Sequence, residues 1–153
     1  MQPTLRATAL IPVLILAACK SSPSAPTTPP PGLGYAAASR GCTPFAGPAL
    51  YIYLAGAPVT TLEPAAPYLR VDIWQEVSNI QVSDWAFGSE QDLTSAGYHP
   101  ATGPAESATS GSLHLGTIGT DTSVSGTLDL YFPTAGHIRG TFQGNWISRT
   151  VVC

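Results

Sequence analysis

The sequence predicts an all-β protein: an antiparallel β-sandwich or partly open barrel that ends in a meander. Three observations predict it. From Tyr35 onward the chain runs in short stretches where apolar and polar residues alternate, Gly, Pro, Asn and Asp punctuate them, and no stretch carries the 3.6-residue period of an amphipathic helix. Of 153 residues, 10% are charged and 44% hydrophobic, with 15 Gly and 15 Pro, which is the composition of a folded chain with one domain. The net charge of -3 offers no basic face, so nucleic acid is not an expected partner.

Residues 1–18 read as an export signal. Arg6 and the amino terminus form a weakly positive start, and "ATALIPVLILAA" supplies about a dozen mostly apolar residues. A helix of that length reaches about 18 Å, short of the roughly 30 Å hydrocarbon core, so a removable signal is the simpler reading. The segment ends in Leu16-Ala17-Ala18-Cys19. This stretch resembles the lipobox of bacterial lipoproteins, in which the cysteine sulfur takes a diacylglyceryl group, the signal is cut before it and the new amino terminus is acylated. The resemblance implies that Cys19 is the lipidated first residue of the mature protein, a palmitate-type anchor through which the membrane becomes a partner. Several acyl chains anchor stably where one is marginal, each buried CH₂ contributing about 0.8 kcal/mol. Lys20 stands where an Asp favours inner-membrane retention, which implies an outer-membrane address in a Gram-negative cell.

Residues 19–34 form the next unit, the lipidated cysteine followed by "KSSPSAPTTPPPGLG". Rich in Pro, Ser and Thr, it reads as a solvated polyproline-like tether of up to about 45 Å at roughly 3.1 Å per residue.

The folded domain is expected over residues 35–153. In "ALYIYLAG", Leu50, Ile52 and Leu54 share the inner face of a strand and Tyr51 and Tyr53 the outer. "YLRVDIWQEV" sets Leu69, Val71, Ile73 and Val77 against Tyr68, Arg70, Asp72, Trp74 and Glu76. The middle is less regular: "IQVSDWAF" reads as a further strand, and His99 falls in a loop with "HPATGPAESATSG". "GSLHLGTIG", "SVSGTLDLYF" and "HIRGTFQGNWIS" read as a three-stranded meander. Leu113, Leu115, Val124, Leu128, Leu130, Phe132, Ile138, Phe142 and Trp146 lie on its inner parity. A hairpin at Pro133 to Gly136 sets Phe132 opposite Ile138 and Leu128 opposite Phe142. Gly126, Gly140 and Gly144 on the same parity imply close packing. The ending is similar to the closing hairpins of many small envelope lipoproteins of bacteria, a weak likeness over about forty residues that implies a β-sandwich and no particular activity.

With Cys19 spent on lipid, Cys42 and Cys153 are the remaining thiols, and in an oxidising envelope they are expected to form the one disulfide that closes the domain.

No motif names a reaction. His99, His114 and His137 lack the spacing of metal ligands, no cofactor is implied, and no serine sits in a nucleophile elbow. Asp72 and Glu76 stand about 13 Å apart along one strand, too far for a paired-carboxylate glycosidase. The row Tyr68, Arg70, Asp72, Trp74 and Glu76 is the candidate ligand-binding surface, weighed against burial of Trp74 under a loop. The expectation is therefore a lipid-anchored cell-envelope protein, a non-catalytic structural or interaction module with an envelope protein or glycan partner. A carbohydrate- or peptide-binding module and an envelope hydrolase are the alternatives.

Overall fold

The computed structural model describes residues 28–44, 47–89, 93–119, 122–147 and 153. Nine strands account for most of them: β1 (Tyr35–Cys42), β2 (Pro48–Ala55), β3 (Tyr68–Ile73), β4 (Asp84–Phe87), β5 (Thr94–His99), β6 (Glu106–Ser107), β7 (Ser110–Gly119), β8 (Ser123–Phe132) and β9 (Gly136–Trp146). A 3₁₀ turn, Val77–Asn79, is the helical element among the described residues. The expected export signal, Cys19 and most of the expected tether lie outside the described residues.

All nine strands join one sheet in the order β4-β7-β8-β9-β1-β2-β3-β5-β6, so of the two expected architectures the molecule adopts the partly open one, a half-barrel. Every junction is antiparallel except β1–β9, which is parallel. The sheet curls around one apolar face. Leu50, Ile52 and Leu54 of β2 and Leu69, Val71 and Ile73 of β3 pack there with Leu113 and Leu115 of β7, Val124, Leu128 and Leu130 of β8 and Phe142 of β9. Burial of these large side chains contributes about 1.5–3 kcal/mol each.

Two devices draw the open edges together. The Thr94 hydroxyl on β5 donates to the Ala86 carbonyl on β4, at 2.5 Å. The Glu106 carboxylate on β6 accepts the Thr134 and Ala135 amides in the β8–β9 turn, both at 2.8 Å. Tyr98 and Phe132 then meet across the interior at a centroid distance of 5.9 Å.

Several particulars differ from the sequence reading. The β8–β9 register is slid by two residues: Phe132 stands opposite Gly136, Leu130 opposite Ile138 and Leu128 opposite Gly140. Gly136, at φ 72, closes a three-residue loop that a side chain would strain. A two-residue slip preserves the face of every side chain, so inward parity could not choose between the registers. His99 ends strand β5 and does not lie in a loop. Tyr53, expected on the outside, is 1% exposed. The folded body also takes in part of the segment assigned to the tether: Leu33 is 4% exposed, and the Thr28 carbonyl accepts the Thr141 amide of β9 at 2.8 Å. The expected close packing at the inward glycines is present, since a Cβ on Gly126 would sit 2.3 Å from the His114 carbonyl oxygen and 2.9 Å from the Phe142 ring.

Cys42 and Cys153 form the disulfide, with Cα atoms 5.5 Å apart. It ties the end of β1 to the carboxyl terminus, beyond the point where the Ile147 amide donates to the Ala38 carbonyl.

Candidate functional site

The outer face of β2, β3 and β5 gathers the most chemistry. Alternation puts Tyr68, Arg70 and Asp72 of β3 on that face, and the register sets Tyr51 beside Asp72 and Tyr53 beside Arg70 from β2. From the other side, β5 brings Ser95 level with Asp72, Gly97 with Arg70 and His99 with Tyr68.

Asp72 is the anchor of this group. It is 6% exposed, and Arg70 holds it with a bidentate pair, Nε to Oδ1 at 2.8 Å and Nη2 to Oδ2 at 2.9 Å. The Ser95 hydroxyl adds a longer contact of 3.4 Å to Oδ2. Burial pushes the Asp72 carboxyl above its usual range, and this outweighs the opposing pull of the Arg70 charge and hydrogen bonds. Burial alone would lower Arg70, but the Asp72 charge and hydrogen bonds, with smaller contributions from Tyr53 and Tyr51, leave it raised. The pair is lopsided in solvent: the Arg70 side chain is 42% exposed and that of Asp72 9%.

Aromatic rings frame the pair. The Arg70 guanidinium lies over the Tyr51 ring, 5.1 Å from its centroid. The Tyr51 ring in turn covers Gly41, where a Cβ would collide with it, and its hydroxyl donates to the Cys42 carbonyl beside the disulfide. On the far side Tyr68 and His99 stack at 4.2 Å with their planes 9° apart. Burial, and then the nearby Arg70 charge, hold the His99 imidazole below its ordinary pKa.

The expected binding row is therefore split. Tyr68, Arg70 and Asp72 come together, whereas β3 ends at Ile73, short of Trp74 and Glu76. Trp74 is half-buried, with its amide donating to the Leu93 carbonyl and its Nε1 buried without a hydrogen-bond partner among the described residues. Glu76 is exposed at the start of the 3₁₀ turn, in a separate depression beside Arg40 and Cys153. The regular β3–β5 register ends at Ile73 and Thr94, one further bond joins Trp74 to Leu93, and the Gln75 amide then turns back to donate to the Ile73 carbonyl.

Ser95, Gly97 and His99 are the site residues that sequence reading missed. "TSAGYH" does alternate, with Thr94, Ala96 and Tyr98 facing inward, but one large side chain beside a threonine and an alanine does not register as a strand. The other two histidines are paired across strands, His114 Nδ1 with Asp84 and His137 Nε2 with Asp129, each at 2.7 Å. Tyr131 stacks on His137 at 4.3 Å. Among the described residues no three His, Cys, Asp or Glu side chains are grouped to hold a metal ion, and no helix is long and apolar enough to cross a membrane.

Comparison with protein-family models, with curated proteins and with solved structures returned no match.

Proposed function

We propose that the protein is a lipid-anchored cell-envelope module, held to the membrane, and in a Gram-negative cell to the outer membrane, by acyl chains on Cys19, whose half-barrel supports or binds an envelope component and performs no catalysis. The observation that carries this reading is the Cys42–Cys153 disulfide. A cystine of this kind persists in oxidising compartments, and it stands in the same chain as an export signal that ends in Leu16-Ala17-Ala18-Cys19. The remaining cysteine is then the one that the lipobox assigns to lipid.

The non-catalytic part of the reading is supported by how the titratable side chains are used. Arg70 is paired with Asp72, His114 with Asp84 and His137 with Asp129, while Glu106 fastens a turn. The two histidine pairs join adjoining strands, Asp72 also accepts from Ser95 on β5, and Glu106 ties β6 to the β8–β9 turn, so the charges brace the half-barrel. A second reading, recognition of a glycan or peptide, is favoured by the buried Asp72 and its aromatic frame.

The test is metabolic labelling with a fatty acid in a bacterial host. The wild type is expected to take up label and to sediment with membranes, and Cys19→Ala to take up none. Equal labelling of the two would overturn the proposal.

A further inference from the structure

Beside the Arg70–Asp72 pair lies a depression of about 230 Å³, lined by Arg70, Asp72, Ser95, Gly97, His99 and Ser107 among others. Its origin is local. Ser95, Gly97 and His99 alternate onto one face of β5, and the middle position has no side chain. On β6, Ser107 stands level with Gly97 and forms the opposite wall. A Cβ on Gly97 would meet only the His99 Nε2, at 3.8 Å, so the gap is open space and is not filled by a neighbouring element. The ring nitrogen of His99 thus points back along the strand into the depression.

The chemistry of the walls narrows what fits. The volume falls below the roughly 300–1,000 Å³ of sites for drug-sized molecules, which leaves room for about one ring. Arg70 is charge-balanced by Asp72, and the Glu106 carboxylate is committed to the β8–β9 turn, so neither a strong anion nor a strong cation finds a counter-charge. Hydroxyls on Ser95 and Ser107, the Arg70 guanidinium, the Asp72 carboxylate and the His99 nitrogen alternate donors with acceptors. An extended peptide would need a free strand edge here. The β5 edge is taken, with Gly97 and Tyr98 paired to β6 and the Ala96 carbonyl accepting the Ala108 amide at 2.9 Å, and the terminal strand β6 offers only two residues for a peptide to pair with.

We propose that this depression binds a single neutral sugar residue, its hydroxyls bridging Arg70, Asp72, the two serines and the His99 ring nitrogen. That the glycan belongs to the cell envelope rests on the anchored-module reading above; sugar binding itself does not depend on where the protein resides. A ring with hydroxyls on adjacent carbons can satisfy both members of an ion pair at once, and charge-assisted hydrogen bonds of that kind are the strong ones.

The test uses the full chain in a detergent without a sugar headgroup. The methyl glycosides of glucose, galactose, mannose and N-acetylglucosamine serve as probes in saturation-transfer NMR. At least one is expected to receive saturation from the wild type, with a dissociation constant on the order of 1 mM. Gly97→Val, which fills the depression on a strand that tolerates a branched side chain, is expected to abolish it. Ser107→Leu narrows the site from an exposed position on β6 and is expected to weaken binding at least tenfold without disturbing the fold. No transfer to any of the four sugars would overturn the proposal, as would equal transfer from the wild type and from both variants. Signals at Ser95, Gly97 and Ser107 that move with trialanine or inorganic phosphate, and with no sugar, would overturn it in favour of a peptide or anion site. Loss of fatty-acid labelling with sugar binding intact would sink the anchoring and leave this inference standing.

Discussion

Replacing both disulfide cysteines by serine probes how the ends of the half-barrel are held. The bridge joins residues separated by 111 positions, and the loop-entropy relation gives about 4.8 kcal/mol for a closed loop of that length, near the top of the roughly 2–5 kcal/mol range for native disulfides. In the folded state the same ends are already held by the β1–β9 pairing and by the Ile147 amide on the Ala38 carbonyl. The stabilisation therefore arises mainly because the bridge restricts the unfolded chain. Cys42→Ser/Cys153→Ser, compared with the oxidised protein in a Cys19→Ala background, is expected to keep the native far-UV and near-UV circular dichroism. Its melting temperature should fall by about 10–19 °C at roughly 2–4 °C per kcal/mol. The urea m-value should rise, because the reduced chain exposes more surface when it unfolds. A stability loss below about 1 kcal/mol, or a changed native spectrum at low temperature, would refute this reasoning.

Three further outcomes follow from the geometry. Arg70→Ala leaves the Asp72 carboxylate buried beside Ser95 alone, so stability at neutral pH should fall by about 1–3 kcal/mol and the Asp72 pKa should rise further, as read by chemical denaturation and carboxyl NMR. Because His99 is held below the ordinary histidine value of 6.5, its contribution to stability is full above that pH and is lost as the pH falls through the lower folded value. Denaturation midpoints should thus decline on acidification through this window, and the slope should flatten in His99→Gln. Gly126→Ala forces a methyl group against the His114 carbonyl and the Phe142 ring and should cost about 1–3 kcal/mol, measurable by urea titration.

What the sequence could and could not reveal follows from which interactions leave a pattern in one strand. Leu50, Ile52 and Leu54 or Leu128 and Leu130 announce a buried face by alternation alone, and each is essentially fully buried. The pairing partner is another matter. Sliding β9 by two residues keeps Ile138 and Phe142 facing inward, so only the loop geometry at Gly136 decides the register. Placement of β1 between β9 and β2 was not legible, because the one large apolar side chain of "YAAASRGC" is the exposed Tyr35, and nothing else shows that Ala38 and Ser39 are fully buried, one on each face. Tyr53 likewise follows strand parity but is covered on the outer side.

The candidate site divides in the same way. Tyr68, Arg70 and Asp72 were readable as a row because β3 continues through them. The alternation in sequence runs on to Trp74 and Glu76, but the chain leaves the ladder after the Trp74–Leu93 bond, and a strand end set by pairing has no local signature there. Ser95, Gly97 and His99 belong to a strand whose inner face carries only Thr94, Ala96 and Tyr98. A short alternation built on small residues resembles a turn until its partners are known.

The central claim is that one cysteine carries lipid while the other two close the folded body. Intact mass spectrometry of the mature protein, purified without reductant, tests both halves at once. The account predicts a chain that begins at Cys19, carries a diacylglyceryl group and an amide-linked acyl chain, and is two hydrogens lighter than its fully reduced form. A mature chain without acyl mass, or one with free thiols at Cys42 and Cys153, would contradict it.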